Sequence, residues 1–245
     1  MALNAGVNLA DTHFRYSLKS DPYSSHEQIA RWLKQYRQQH CPQRPCVIYD
    51  IGCAQGLLGQ LLSPTDFALY GVDADAASVE LARTTYRAVL QADIERPPAF
   101  RFPEALDVMI LADVLEHTRE PDKCLAALCR TFLSPGIPIV ISLPNVAHLY
   151  VRLSLLSGRF EYAARGICDA THLRFFTKSS ALRLVTACGI TVDQISATPV
   201  PLPLLSARFQ PGRPLWPVHQ AQAAAARRFK TIFGYQIIIY GRYRA

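Results

Sequence analysis

Residues 46–59, CVIYDIGCAQGLLG, run from an unbroken apolar segment through Asp50 into a turn carrying Gly52, Gly56 and Gly59. Apolar residues without alternation describe a strand buried on both faces, and a glycine-rich turn after it lets a ligand approach backbone N–H groups closely. The spacing is not G-x-G-x-x-G, which argues against a dinucleotide fingerprint. Working outward, the next apolar run ends in Gly71-Val72-Asp73, and the one after it in Gln91-Ala92-Asp93. A carboxylate at the end of the second strand can accept from two ribose hydroxyls. The one after the third strand sits where an amino group could be read.

Five apolar runs read as strands: 47–51, 67–72, 87–91, 106–112 and 137–143. Between them, 56–62, 75–85 and 121–132 read as helices. Buried strands that alternate with helices imply a parallel sheet covered on both faces, hence a doubly wound α/β fold. Before this core, residues 26–39 carry apolar side chains at i, i+3, i+4 and i+7, the pattern of an amphipathic helix. After it, residues 144–177 break the rhythm with aromatic and basic residues. The pattern then resumes with a helix over 178–188 and a strand over 190–195. Six prolines between Thr198 and Pro217 exclude a helix or central strand and indicate a loop insertion. A helix over 218–232 and a last strand over 235–240 follow.

Asp50-x-Gly52-x-Ala54-x-Gly56, Gly71-Val-Asp73, Ala92-Asp93-Ile94 and Asp107-Val-Met-Ile-Leu-Ala112-Asp113 together resemble the successive motifs of class I S-adenosylmethionine-dependent methyltransferases. The likeness covers about residues 45–198 and the final strand. It implies a Rossmann-like seven-stranded sheet with helices on both faces and an antiparallel last strand. It also implies a cofactor site: Gly52 and Gly56 flank the methionine moiety of S-adenosylmethionine, with Asp50, Cys53 and Ala54 in the same turn. Asp73 and Ala74 meet the ribose, Asp93 and Ile94 the adenine, and Ala112 and Asp113 lie near the sulfonium. Ala54 stands where many relatives have glycine. Bland alternatives remain open, with Asp50 bracing the turn and Asp93 ending a strand. On this reading the chain divides into an N-terminal helical extension or lid (1–44), the cofactor-binding core (45–143), a substrate cap (144–177) and a continuation of the core (178–198). A Pro-rich basic insertion with a helix (199–232) and the final strand (233–245) complete it.

Asp113-Val-Leu-Glu116-His117, if helical, would place two carboxylates and an imidazole on one face, half of a divalent metal site. The segment resembles that of ubiquinone-biosynthesis O-methyltransferases and small-RNA 2'-O-methyltransferases, where such residues can hold a metal. Those relatives usually carry Glu where this chain has Asp113. The alternatives are a pocket wall without metal, or metal-free acid–base catalysis. Pro144-Asn145-Val-Ala-His148, Gly158-Arg-Phe-Glu-Tyr162 and Asp169-Ala-Thr-His172-Leu-Arg174 resemble a subgroup of bacterial methyltransferase domains found with glycan and lipid biosynthesis enzymes. His148 and His172 fall where the chain would cross the open end of the sheet, so they join His117 as candidate catalytic residues. Arg152 and Arg174 are candidates for an anionic acceptor.

An alcohol is a poor nucleophile when neutral, so three histidines favour a hydroxyl acceptor that needs a base. The expected function is O-methylation of a small-molecule, glycan or lipid-linked acceptor. The competing readings are an RNA methyltransferase, an inactive S-adenosylmethionine-binding scaffold and, more remotely, a nicotinamide oxidoreductase.

Composition bounds these readings. The 245 residues are 50% hydrophobic and 18% charged, with mean hydropathy +0.07, which excludes a disordered or fibrous chain. Seven cysteines without a C-x-x-C argue against a disulfide framework or zinc ribbon. Met1–Asp11 lacks the basic and apolar regions of a secretory signal, so the expected location is cytoplasmic, with membrane association at most peripheral. Net charge is +7, and beyond Asp193 the chain carries seven cations and no acid. Leu215, Trp216, Phe229 and Phe233 interleave with Arg227, Arg228 and Lys230, a composition suited to an anionic membrane surface through residues 208–244, or simply to a solvated helix face. Nucleic acid fits less well, because no aromatic-rich RNA module accompanies the charge.

Overall fold

The computed structural model describes residues 21–96 and 101–244. In chain order its elements are α1 (Ser25–His40), β1 (Cys46–Ile51), β2 (Phe67–Asp73), α2 (Ala76–Ala82), β3 (Ala88–Gln91), β4 (Val108–Ala112), α3 (Pro121–Phe132) and β5 (Pro138–Pro144). There follow α4 (Leu149–Leu156), α5 (Lys178–Ala187), β6 (Ile190–Thr198), α6 (Leu202–Leu205), α7 (Trp216–Arg228), α8 (Lys230–Phe233) and β7 (Gln236–Tyr243). The strands form one seven-stranded sheet in the order β3-β2-β1-β4-β5-β7-β6. Strands β1 to β5 are parallel, and β7 inserts antiparallel between β5 and β6. This is the α/β architecture expected from the strand pattern, with the antiparallel closing strand that the family resemblance implies.

All six residues of β1 and all seven of β5 are buried, which is why their sequences do not alternate. One face of the sheet is covered by α3 and α5 through Leu125, Leu128 and Val185. The other takes Ile29 and Leu33 of α1 with Val79 and Ala82 of α2. Helix α1 starts where the Ser24 hydroxyl caps the Glu27 amide, and α5 where Thr177 and Ser180 form a capping box. Just before α1, buried Asp21 meets buried His219 of α7 at 2.9 Å, and Tyr23 stacks on Trp216. The N-terminal extension is thus fastened to the Pro-rich insertion across the fold; residues 1–20 of that extension lie outside the described residues.

Several boundaries differ from the sequence reading. The helix expected over 56–62 is a run of turns with one 3-10 turn at Gly59–Leu61, held by N–H bonds three residues back. Gly56 has φ +74°, which interrupts helical propagation. A Cβ there would stand 2.8 Å from Thr85 Oγ1 and 3.0 Å from the Ala82 Cα, so the turn is pressed onto the end of α2. Residues 144–177 contain an unforeseen helix, α4. The helix expected over 218–232 is two helices, broken at Phe229. The basic tail is not one surface either. Strand β7 runs antiparallel, so Arg242 lies at the opposite end of the strand from Gln236 and pairs with Asp193 at 2.9 Å.

Gly56→Ala must hold a left-handed residue against backbone. It is expected to lose about 1–3 kcal/mol, and thermal unfolding should show Tm falling by roughly 2–4 °C for each of them. An unchanged Tm would mean that the turn relaxes around a methyl group.

Candidate active site

Strands β2 and β4 flank β1 and their connections leave on opposite sides, so a crevice opens beyond the carboxyl ends of the strands. It is a cleft of about 1190 Å³. Asp50, Gly52, Cys53, Ala54, Asp73, Ala74, Asp93, Ile94, Ala112 and Asp113 all line it, together with Glu116, His117 and His172. Gly56 and His148 are not among the lining residues.

The turn after β1 is shaped by close packing. Gly52 has φ +76°, and a Cβ there would overlap Val114 at 2.3 Å. Ala54 is also left-handed, at φ +44°, and its amide donates to Asp73 Oδ2 at 2.8 Å. The other oxygen of Asp73 accepts from the Asp75 amide at 2.9 Å. A carboxylate has about four acceptor positions, so Asp73 retains capacity toward the cleft. Asp50 is buried and accepts from the Tyr86 hydroxyl at 2.6 Å. Burial pushes its carboxyl up to about 6, the Tyr86 bond draws it back, and the Asp73 charge raises it further. Burial likewise pushes the Cys53 thiol up, so it is a packed apolar group and not a thiolate. Asp93 caps its own turn by accepting from the Glu95 amide at 3.0 Å. Gly56 lies behind this wall against Ala82, Thr85 and Tyr86, where it shapes the turn.

The second wall is acidic and imidazole-bearing. Leu115–His117 form a 3-10 turn, not an α-helix, because Asp113 before it is left-handed at φ +58°. Its carboxylate therefore turns away to accept from Ser142 Oγ at 3.1 Å and Gln236 Nε2 at 2.6 Å. The grouped ligand atoms belong instead to Glu116, His117 and His172, all within 4.8 Å of one another. Among the described residues Asp113 is not in this group, and His172 is.

Glu116 is 1% exposed, and neither of its oxygens has a hydrogen-bond partner among the described residues. Burial, followed by the Asp113 and Asp169 charges, raises its carboxyl well above the usual range. Its backbone carbonyl accepts from the Leu173 and Arg174 amides, which fastens the segment carrying His172 to this wall. His172 Nδ1 lies 3.0 Å from the Ile167 carbonyl, and His117 Nδ1 lies 3.2 Å from that of Thr171. Carbonyls only accept, so each Nδ1 carries the proton and each Nε2 is left as a lone pair. Burial lowers the His172 pKa, and the neighbouring His117 lowers it further. His148 stands apart from this group: its Nδ1 accepts from the Tyr150 amide at 3.1 Å as the cap of α4.

Sequence reasoning missed Tyr86, Ser142, Gln236 and Tyr235 around the cleft, and the roof formed by Ile29 and Leu204. Gln236 could have been found only from the antiparallel register that sets it opposite Pro144. Arg174 spends its guanidinium on the Arg119 carbonyl, so it is a brace for the wall, while Arg152 is exposed on α4 and donates to the Ala147 carbonyl at 2.7 Å.

The family model described as methionine biosynthesis protein MetW matches residues 36–176. A ubiquinone biosynthesis O-methyltransferase of Saccharophagus degradans is 25% identical over 164 residues, 61% of this chain and 68% of the relative. One from Paraburkholderia phymatum is 30% identical over 158 residues, 60% of this chain and 66% of the relative. Among solved structures, a SAM-dependent methyltransferase of Archaeoglobus fulgidus superposes with TM-score 0.54 at 18% identity, covering 89% of this chain and 95% of that one. Magnesium protoporphyrin IX methyltransferase of Synechocystis with bound SAH gives 0.57 at 14% identity, covering 89% and 84%. These likenesses establish the fold as that of class I methyltransferases.

A carboxyl that keeps its proton in the fold, where the unfolded chain would release it, costs stability as pH rises above the ordinary glutamate value. Chelator-treated Glu116→Gln is therefore expected to match wild-type Tm near pH 4 and exceed it increasingly toward pH 8. A constant difference across that range would place the Glu116 carboxyl in contact with solvent or a partner.

Proposed function

The chain belongs to the family of the methionine biosynthesis protein MetW, and from that membership and the cleft we propose that it is an S-adenosylmethionine-dependent O-methyltransferase. Its acceptor is a small-molecule, glycan or lipid-linked hydroxyl. The relatives named as O-methyltransferases support this reading. The observation that carries it is the pairing, in one cleft, of the glycine turn with two imidazoles that each bring a ring nitrogen within 4.8 Å of a Glu116 oxygen.

S-adenosylmethionine, when bound, supplies a methyl group activated on a sulfonium. The protein has to hold donor and acceptor in line and manage one proton. Asp73 offers its remaining acceptor positions to the ribose hydroxyls, and Asp50 faces the cationic amino end, where a positive charge would lower its raised pKa. Ala112 is small enough to leave room at the junction of the two substrates. On the acceptor side, Nε2 of His172 or His117 takes the hydroxyl proton, and the Ile167 or Thr171 carbonyl then steadies the imidazolium through Nδ1–H.

A second reading has one specific observation in its favour. Among the described residues both Glu116 oxygens lack partners, and with the two imidazoles they make an oxygen and nitrogen donor set suited to a divalent cation. Such an ion would be held by Glu116, His117 and His172, with Asp113 outside it, and would acidify the acceptor hydroxyl.

Calorimetric titration of chelator-treated protein with S-adenosylmethionine and S-adenosylhomocysteine, with and without added magnesium, tests the reading. Saturable binding is expected, weakened about 10–100-fold in Asp73→Ala, the loss of charge-assisted hydrogen bonds to the ribose. No binding of either ligand would overturn the proposal. In acceptor assays His172→Ala should lower turnover by about 10²–10⁴-fold with donor affinity unchanged. Turnover that survives the substitution would remove His172 from the chemistry, and turnover restored by magnesium only in chelated wild type would favour the cation.

A further inference from the structure

We propose that Cys41, Cys46 and Asp107 hold a zinc ion that fastens the end of α1 to the start of the sheet, on the side of the molecule away from the cleft. The two Sγ atoms and a carboxylate oxygen of Asp107 all lie within 4.8 Å of one another. A tetrahedral zinc ion with zinc–sulfur bonds of about 2.3 Å sets two sulfurs about 3.8 Å apart, inside that limit. Thiolate sulfur selects zinc over magnesium or calcium, and a carboxylate oxygen serves as a further donor. Among the described residues no other cysteine gathers two further donors in this way.

The local chain brings these donors together. Cys41 is the C-cap of α1 and Cys46 the first residue of β1. Between them stand Pro42-Gln43-Arg44-Pro45, a C-x4-C spacing that is not the C-x-x-C of a zinc ribbon but lies within the range of structural zinc sites. Two prolines fix φ in this connection, and the Arg44 amide bonds back to the Cys41 carbonyl at 3.4 Å. Both thiols are buried, Cys46 completely. Asp107 immediately precedes β4, and its carboxylate is already oriented. It accepts from the Val47 amide at 2.8 Å and, through both oxygens, from the Arg44 guanidinium at 2.6 and 2.7 Å. These bonds occupy three of the about four acceptor positions of a carboxylate, which leaves one for the ion. Arg44 thereby acts as the outer-shell partner that aims a metal-binding carboxylate.

Charge is balanced as well. Two thiolates and a carboxylate face a divalent ion and the Arg44 guanidinium. Binding breaks two S–H bonds, forms two zinc–sulfur bonds and releases both protons to water. Strands β1 and β4 begin at this end of the sheet and deliver Asp50 and Asp113 at the other, so the site is independent of the methyltransferase reading. Its effect is mechanical: α1 carries Ile29 into the roof of the cleft, and the ion pins the far end of that helix.

Cobalt(II) occupies zinc sites and gives a near-ultraviolet charge-transfer band when thiolate is a ligand. Titration of the reduced full chain with cobalt(II) should produce that band, and added zinc should abolish it. The band should be lost in Cys41→Ala/Cys46→Ala, and cobalt affinity should fall by at least about 10–100-fold in Asp107→Asn, the scale for disturbing a metal's outer ligands alone. Glu116→Gln should keep the band, which separates this site from the acidic wall of the cleft. Circular dichroism checks that each variant is folded. Zinc should raise the Tm of Glu116→Gln, and should leave it unchanged once both cysteines are also replaced. No charge-transfer band in the wild type, a band that persists in the double-cysteine variant, or an unchanged cobalt affinity in Asp107→Asn overturns the proposal.

Discussion

Strand β1 is hydrogen-bonded on both edges and buried on both faces, so the only place its chain can deliver a polar group is past its carboxyl end. That constraint organises the molecule. Asp50 is the last polar residue of the strand, and the chain must turn at once, with Gly52 tight against Val114 and Ala54 left-handed. The crossovers on either side of β1 leave in opposite directions, and the space between them is the cleft. Everything assigned to donor binding lies within a few residues of the ends of β1, β2, β3 and β4, because only there are backbone N–H groups and carboxylates released from the sheet.

The opposite wall is built by a different force. Asp113 is strained in the left-handed region and held there by Ser142 and Gln236, from β5 and β7. This turns Glu116 inward, where its carboxyl group is desolvated and has no hydrogen-bond partner among the described residues. A buried acid of that kind is unfavourable for stability, and it stands with two imidazoles whose ligand nitrogens lie within 4.8 Å of it. The imidazoles are in turn oriented by main-chain carbonyls, so their tautomers follow from backbone placement.

The elements outside the sheet act as cover. The Asp21 and His219 pair, with Tyr23 on Trp216, joins the start of α1 to α7, and α1 and α6 contribute Ile29 and Leu204 to the roof. On the other side the flap carrying His172 is fastened to the Glu116 carbonyl, while α4 leaves most of its side chains in solvent. One side of the mouth is thus closed by packed protein and the other is bordered by apolar residues with cations among them.

The sequence alone determined the strand run from Cys46 to Leu143, the glycine turn and the carboxylates at the strand ends. Local apolar pattern and backbone requirements dictate these, and both are written in consecutive residues. It also singled out Asp113, Glu116, His117, His148 and His172 as candidates. Only the tertiary structure decided which of them meet. Whether Asp113 or His172 completes the group with Glu116 depends on a left-handed turn and on a flap more than fifty residues further along the chain. Gly56 and His148 carry the right residue types at plausible positions, yet packing against α2 and capping of α4 take them out of the cleft. Residue spacing fixes distance along the chain, and three-dimensional proximity across strands β5 and β7 is set by hydrogen-bond register, which no single segment encodes.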